Sequence, residues 1–253
     1  MATTATEWLP PPARLVLGDH EVHVWRVPLT QPEVVHRALW PSLAPDERER
    51  AERFHFRRDR ARYIVARGQL RAILGRYLEV EPSQVRFRYN RYGKPALAPD
   101  REAAELSFNL SHAHELALYA ITRGRAIGVD VEHIRDDIDH VAIAEQFFSP
   151  REVEMLRALP PEVRSTAFTN CWTRKEAYVK ARGEGLSLRL DQFDVSLAPG
   201  AAAELLHVAG DQRERGRWSI RSIDPGPAYV AALAVEGQGW ELRCWHWPGV
   251  DTP

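Results

Sequence analysis

The sequence predicts an α+β fold built as a pseudo-twofold pair of similar α/β lobes, with the functional site at their interface. Three observations predict it. A charged helix opening at Pro45-Asp46-Glu47-Arg48 leads to a longer one from about Arg57 to Leu78. The same pair recurs, from Ser149-Pro150-Arg151-Glu152 and then from about Arg164 to Ala181. Each pair runs into apolar strand segments, so both halves read helix, helix, strands. The spacing is also similar: 105 residues separate Pro45 from Pro150, and 113 separate Leu116 from Tyr229. Such a near-constant offset is the signature of an internal repeat.

The elements follow in order. After the first helix pair, Asn90-Arg91-Tyr92-Gly93-Lys94-Pro95 is a turn. Phe108-Asn109-Leu110-Ser111-His112 reads as a strand-edge loop before the apolar strand Leu116 to Ile121. A polar turn and the strand Ile127 to Val131 close the first half. The second half opens on a capping box, with Ser149 as N-cap, Pro150 in the first turn and Glu152 reaching back. Its long helix ends near Gly183. Strand-like segments follow at Phe193 to Leu197 and Trp218 to Ile223. Tyr229 to Val235 and Trp240 to Trp245 then mirror the hairpin that closes the first half. The join falls near Arg123 to Ala126, giving lobes 1–124 and 125–253.

Composition narrows the function classes. The chain has 253 residues, 44% hydrophobic and 27% charged, which suits a globular protein with a proper core. A formal net charge of −1 offers no overall attraction to nucleic acid or anionic membranes. Arginines do gather between Arg48 and Arg76, a run that reads as a solvated helix face or as an anion site. Cys171 and Cys244 form no disulfide framework and read as buried free thiols. Met1 to Arg14 lacks the basic-then-apolar pattern of a signal peptide, and no apolar run approaches the length of a membrane span. A cytoplasmic protein is expected.

Two segments carry the chemistry. In Gly128-Val129-Asp130-Val131-Glu132, strand periodicity sets Asp130 and Glu132 side by side. Like charges ~4 Å apart repel by about 4 kcal/mol at an effective dielectric near 20, so the pair calls for a cation. An all-oxygen ligand set suits Mg²⁺. In Trp172-Thr173-Arg174-Lys175-Glu176-Ala177-Tyr178-Val179-Lys180, helical periodicity puts Glu176 and Lys180 on one face. Together these suggest a phosphate-handling metal site; alone, the first segment also reads as a strand end with solvated acids. Ser111 and His112 fit either phosphate donors or a structural pair. Lys94 fits an anion contact or a solvated side chain, and Trp172 reads as packing.

In combination, these segments in this order resemble the 4′-phosphopantetheinyl transferases of the Sfp type, from about Pro45 to Val235. The resemblance implies coenzyme A bound across the lobe interface. It implies Mg²⁺, with Mn²⁺ as an alternative, held by Asp130, Glu132 and Glu176 with the coenzyme A pyrophosphate. Ser111, His112, Arg50 and Arg62 would face the 3′-phosphate, and Gly93, Lys94 and Pro95 the nucleotide. Glu176 would accept the proton of a carrier-protein serine, Lys180 would neutralise phosphate charge, and Lys175 would support the same surface. The partner implied is an apo acyl or peptidyl carrier protein, and the state a monomer that is internally a pseudodimer. One departure stands out: Glu47 occupies a position where the family often has a phosphate-contacting lysine.

Two rival readings remain at this level. A metal-dependent phosphohydrolase would use the same three carboxylates without a protein acceptor. A nucleic-acid-binding module would use the Arg48 to Arg76 run and show steep salt dependence.

Overall fold

The computed structural model describes residues 6–99 and 105–247. The outermost parts of both expected lobes, residues 1–5 and 248–253, lie outside the described residues, as do residues 100–104. The first half contains β1 (Glu21–Pro28), α1 (Glu33–Leu39), α2 (Pro45–Glu52), α3 (Arg57–Leu78), β2 (Phe87–Tyr89), β3 (Pro95–Leu97), β4 (Leu106–Ala113) and β5 (Leu116–Arg123). The second contains β6 (Ile127–His133), α4 (His140–Phe147), α5 (Pro150–Ala158), α6 (Pro161–Arg182), β7 (Phe193–Val195), β8 (Leu205–Val208), α7 (Glu214–Arg217), β9 (Trp218–Ile223), β10 (Tyr229–Glu236) and β11 (Glu241–His246).

Two sheets stack face to face. The first has the order β11-β1-β5-β4 and the second β6-β10-β9. Strand alternation builds the layers. On β5, Leu118 and Ala120 face the second sheet, while Ala117, Tyr119 and Ile121 pack with α3. On β10, Leu233 and Val235 meet the first sheet, while Ala232 and Ala234 pack with α6. The section is therefore helix, sheet, sheet, helix, with apolar residues buried in all three seams.

The halves correspond closely. The order β1-β5-β4 has the same connectivity as β6-β10-β9, and α3 and α6 are each 22 residues long. Both long helices end at a left-handed residue, Glu79 and Gly183.

Neither expected terminal hairpin forms. β5 and β6 go to different sheets, and so do β10 and β11. The connecting glycines explain the crossing. Gly124, Gly237 and Gly239 take positive φ values, and each turn redirects the chain to the opposite sheet instead of folding it back. β11 then pairs in parallel with β1, from Glu21 opposite Glu241 to Arg26 opposite His246. Ser111 and His112 also lie within β4 rather than in a loop before it. Phe108 packs into the core, and β4 pairs with β5 along its whole length.

Candidate active site

The sequence around Gly128 is shaped by one close crossing. Even-numbered β6 residues face α6, and a Cβ on Gly128 would lie 2.1 Å from the Ala177 carbonyl oxygen and 2.4 Å from the Ala181 nitrogen. Glycine lets α6 lie directly on the strand, so Asp130 on β6 meets Lys180 on α6. Lys180 Nζ donates to Asp130 Oδ1 (2.7 Å), to Ser111 Oγ (2.9 Å) and to the Val129 carbonyl (3.3 Å). Ser111 Oγ donates to the same Asp130 oxygen at 2.8 Å. Three elements, β4, β6 and α6, thus converge on one carboxylate.

Asn109 explains how β4 reaches across. Its Oδ1 accepts the Val129 amide at 2.9 Å, tying the first sheet to the second beside the site. The sequence reading missed it. The signal was the two-residue spacing of Asn109 and Ser111, which puts both on one face of a strand.

The acids are electrostatically loaded. Asp130 is 3% exposed, and burial pushes its carboxyl above the usual range against the pull of Lys180 and Ser111. Burial, then the charge on Asp130, pushes Glu132 up to about 7. Glu176 is raised by burial and by Asp130. Asp130 Oδ2 is buried with no hydrogen-bond partner. Among the described residues, no three His, Cys, Asp or Glu side chains form a ready-made metal cage. The donor set nevertheless fits a hard divalent cation: all oxygen, mutually repelling, with one buried carboxylate oxygen unpartnered.

Glu176 and Lys180 open onto a cleft of about 1240 Å³ lined by both halves. Phe54, Tyr63, Arg67 and Tyr89 line it from the first half, and Phe147 and Trp172 from the second. Arg50, Gly93, Lys94, Pro95 and the exposed His112 also face it. Trp172 packs edge-on against Phe147, as its helical position suggested, and forms part of the wall.

Five expected site residues do not line the cleft itself: Asp130 and Ser111, which Lys180 contacts, Glu132, Arg62 and Lys175. Lys175 is fully buried on another face of α6, 2.7 Å from Glu152 Oε2, and donates to the Leu190 and Phe193 carbonyls. Its place one residue before Glu176 turns it about 100° around the helix, away from the cleft face. Arg62 turns to Glu115, with Nη2 3.0 Å from Oε1. Lys94 lines the cleft, but its ammonium donates to the carbonyls of Ile127, Lys180 and Ala181. Burial pulls it down to about 8.

The departure at Glu47 has a local answer. Its carboxylate is 2% exposed and accepts Arg67 Nε at 2.7 Å and Arg71 Nε at 2.6 Å. Glu47 therefore adds little net negative charge to the cleft, while Arg67 remains at its wall.

No helix among the described residues is long and apolar enough to cross a membrane. Residues 126–234 match the family described as the 4′-phosphopantetheinyl transferase superfamily, and residues 31–123 match 4′-phosphopantetheinyl transferase, N-terminal. The chain is 44% identical over 240 residues to the 4′-phosphopantetheinyl transferase HetI of Nostoc, covering 95% of this chain and 98% of that protein. It is 32% identical over 170 residues to the 4′-phosphopantetheinyl transferase Sfp of Bacillus subtilis, covering 67% and 72%.

Proposed function

Because the chain belongs to the 4′-phosphopantetheinyl transferase superfamily, we infer that it moves 4′-phosphopantetheine from coenzyme A to a serine of an apo carrier protein. The observation that supports this most is the meeting of Ser111 and Lys180 on the Asp130 carboxylate, with Lys180 and Glu176 lining a cleft shared by both halves. A long ligand with a charged nucleotide and pyrophosphate and an uncharged pantetheine arm needs a long cleft, and a phosphoryl transfer needs charge neutralisation and positioning more than covalent help.

In this reading coenzyme A lies along the cleft. Its nucleotide end is toward Arg50, His112 and the turn at Gly93, and its pyrophosphate is near Lys180. Asp130, Glu132 and Glu176 would hold Mg²⁺, or Mn²⁺ in its place. That ion would offset pyrophosphate charge when bound. Lys180 holds one oxygen of Asp130 and leaves the other free. Its ammonium stands where phosphate charge must be balanced. Glu176 takes the proton of the carrier serine, directly or through a water, as the serine oxygen bonds to phosphorus. The bond from that phosphorus to the bridging oxygen breaks, and 3′,5′-ADP leaves.

The phosphohydrolase alternative is not carried forward, since membership of this family speaks for transfer. Nor is the nucleic-acid reading: Arg67 and Arg71 are engaged by Glu47, Arg62 by Glu115, and Arg76 by main-chain carbonyls. We place the two lobes at 1–124 and 125–253, and read the protein as a cytoplasmic monomer. The test is intact-protein mass spectrometry of an apo carrier protein incubated with this protein, coenzyme A and Mg²⁺. The expected result is a gain of one phosphopantetheine that excess chelator abolishes. An unmodified carrier would overturn the reading.

A further inference from the structure

The turn between β2 and β3 belongs to the first half, yet it is fastened to the end of α6 in the second. Asn90 organises it from within: its Oδ1 accepts the amides of Tyr92 and Lys94, each at 2.9 Å. Its Nδ2 donates outward to the Gly183 carbonyl at 2.8 Å. Lys94 Nζ reaches the carbonyls of Lys180 and Ala181 in the last turn of α6, where a cation satisfies orphan acceptors at the negative end of the helix dipole. The turn sits close enough that a Cβ on Gly183 would meet the Lys94 stem at 3.4 Å, and one on Gly185 the Tyr92 Cβ at 3.3 Å.

We propose that Asn90 is a positioning residue for transfer, presetting the Asn90–Lys94 turn so that it both shapes the nucleotide side of the cleft and fixes the last turn of α6, which carries Lys180. The inference rests on reading the cleft as the coenzyme A site. It is local by construction. Two backbone amides of the turn find their acceptor on a single side chain, and the backbone adds bonds from Asn90 N to the Lys94 carbonyl and from Gly93 N to the Asn90 carbonyl. Without the side-chain oxygen, the Tyr92 and Lys94 amides turn to water and the turn samples other shapes. Coenzyme A binding must then order the turn again, which weakens apparent affinity without touching the carrier-protein surface.

Asn90→Ala and Asn90→Asp separate the parts, because aspartate keeps an oxygen for the two amides and gives up the donor to Gly183. Steady-state transfer should show the KM for coenzyme A raised about tenfold in Asn90→Ala, the size expected when three hydrogen bonds at the low end of the usual net range are lost. The KM for the carrier protein should stay unchanged. Asn90→Asp should recover the coenzyme A KM to within about threefold. Hydrogen exchange on the ligand-free protein should show faster exchange at Tyr92 and Lys94 in Asn90→Ala and near wild-type exchange in Asn90→Asp. An unchanged coenzyme A KM in Asn90→Ala overturns the proposal, as does unchanged exchange at those amides. The exchange readout needs no coenzyme A, so it stands apart from failure of the transferase reading, which would appear as wild-type protein that leaves the carrier unmodified.

Discussion

Glu47 and Glu152 are the same residue twice: each is the third residue of a short helix, each accepts the amide that precedes that helix, and each is buried against a base from the long helix that follows. Arg71 answers Glu47 and also donates to the Val85 carbonyl; Lys175 answers Glu152 and donates to that of Phe193. In both halves the ion pair ties the short helix, the long helix and the chain leading to a small hairpin into one unit. The second pair explains why Lys175 is absent from the cleft.

Lys175→Met should therefore destabilise the protein by about 3–5 kcal/mol, because Glu152 is left charged and buried without its partner. Urea denaturation measures the loss. Coenzyme A affinity of the folded fraction should stay at the wild-type value. A large loss of affinity with unchanged stability would restore Lys175 to the ligand site.

Glu176→Gln should bind coenzyme A within about threefold of wild type yet transfer at least 100-fold more slowly, since glutamine keeps the size and one oxygen but cannot take the serine proton. Calorimetric titration of coenzyme A beside a transfer assay measures both. Transfer near the wild-type rate would reduce Glu176 to a wall residue.

Gly128→Ala should cost about 3 kcal/mol or more, because the added methyl meets backbone atoms of α6 that no rotamer change can move. Gly124→Ala is the control. Its Cβ would meet nothing within 4 Å, so only the strain of a positive φ applies, about 1 kcal/mol. Thermal unfolding of the two variants should rank them in that order.

His23 should make the fold sensitive to acid. Its ring nitrogen lies 2.8 Å from the Tyr77 hydroxyl, and burial holds the imidazole below its ordinary value of 6.5 against the pull of Glu21. The folded state keeps it neutral while the unfolded chain takes up a proton below about 6.5. This contribution is thus present above that pH and lost as the pH falls. His23→Gln should flatten the fall in melting temperature between pH 6.5 and 5. An identical slope in both proteins would count against it.

Much of this was legible in the sequence where a short-range rule decided it. The capping box at Ser149 and Glu152 forms as written, and the helical spacing of Glu176 and Lys180 puts both at the cleft. Strand spacing correctly turned Asp130 and Glu132 toward the same side as the close contact at Gly128. What escaped depends on contacts between distant segments. The resemblance set Lys175 beside Glu176 at the ligand surface, and nothing local to the helix showed that Glu152, on another helix, would hold it in the core. Strand patterns could not say that β5 and β6 join different sheets, because β5 is apolar on both faces and suits either layer. Asn90 was legible as a turn residue, but its bond to Gly183 spans 93 positions.

The parallel pairing of β11 with β1 has a consequence for how the protein is made. β1 occupies residues 21–28, and its neighbour on one side is drawn from residues 241–246. During synthesis the first sheet keeps an open edge until β11 has emerged, and the strand that closes it must search across more than two hundred residues. The halves resemble each other, yet only the second can complete its sheet from its own residues. The nascent first half is therefore the stage at which an exposed strand edge is most open to wrong partners, and chaperones that recognise such edges would have their longest opportunity there.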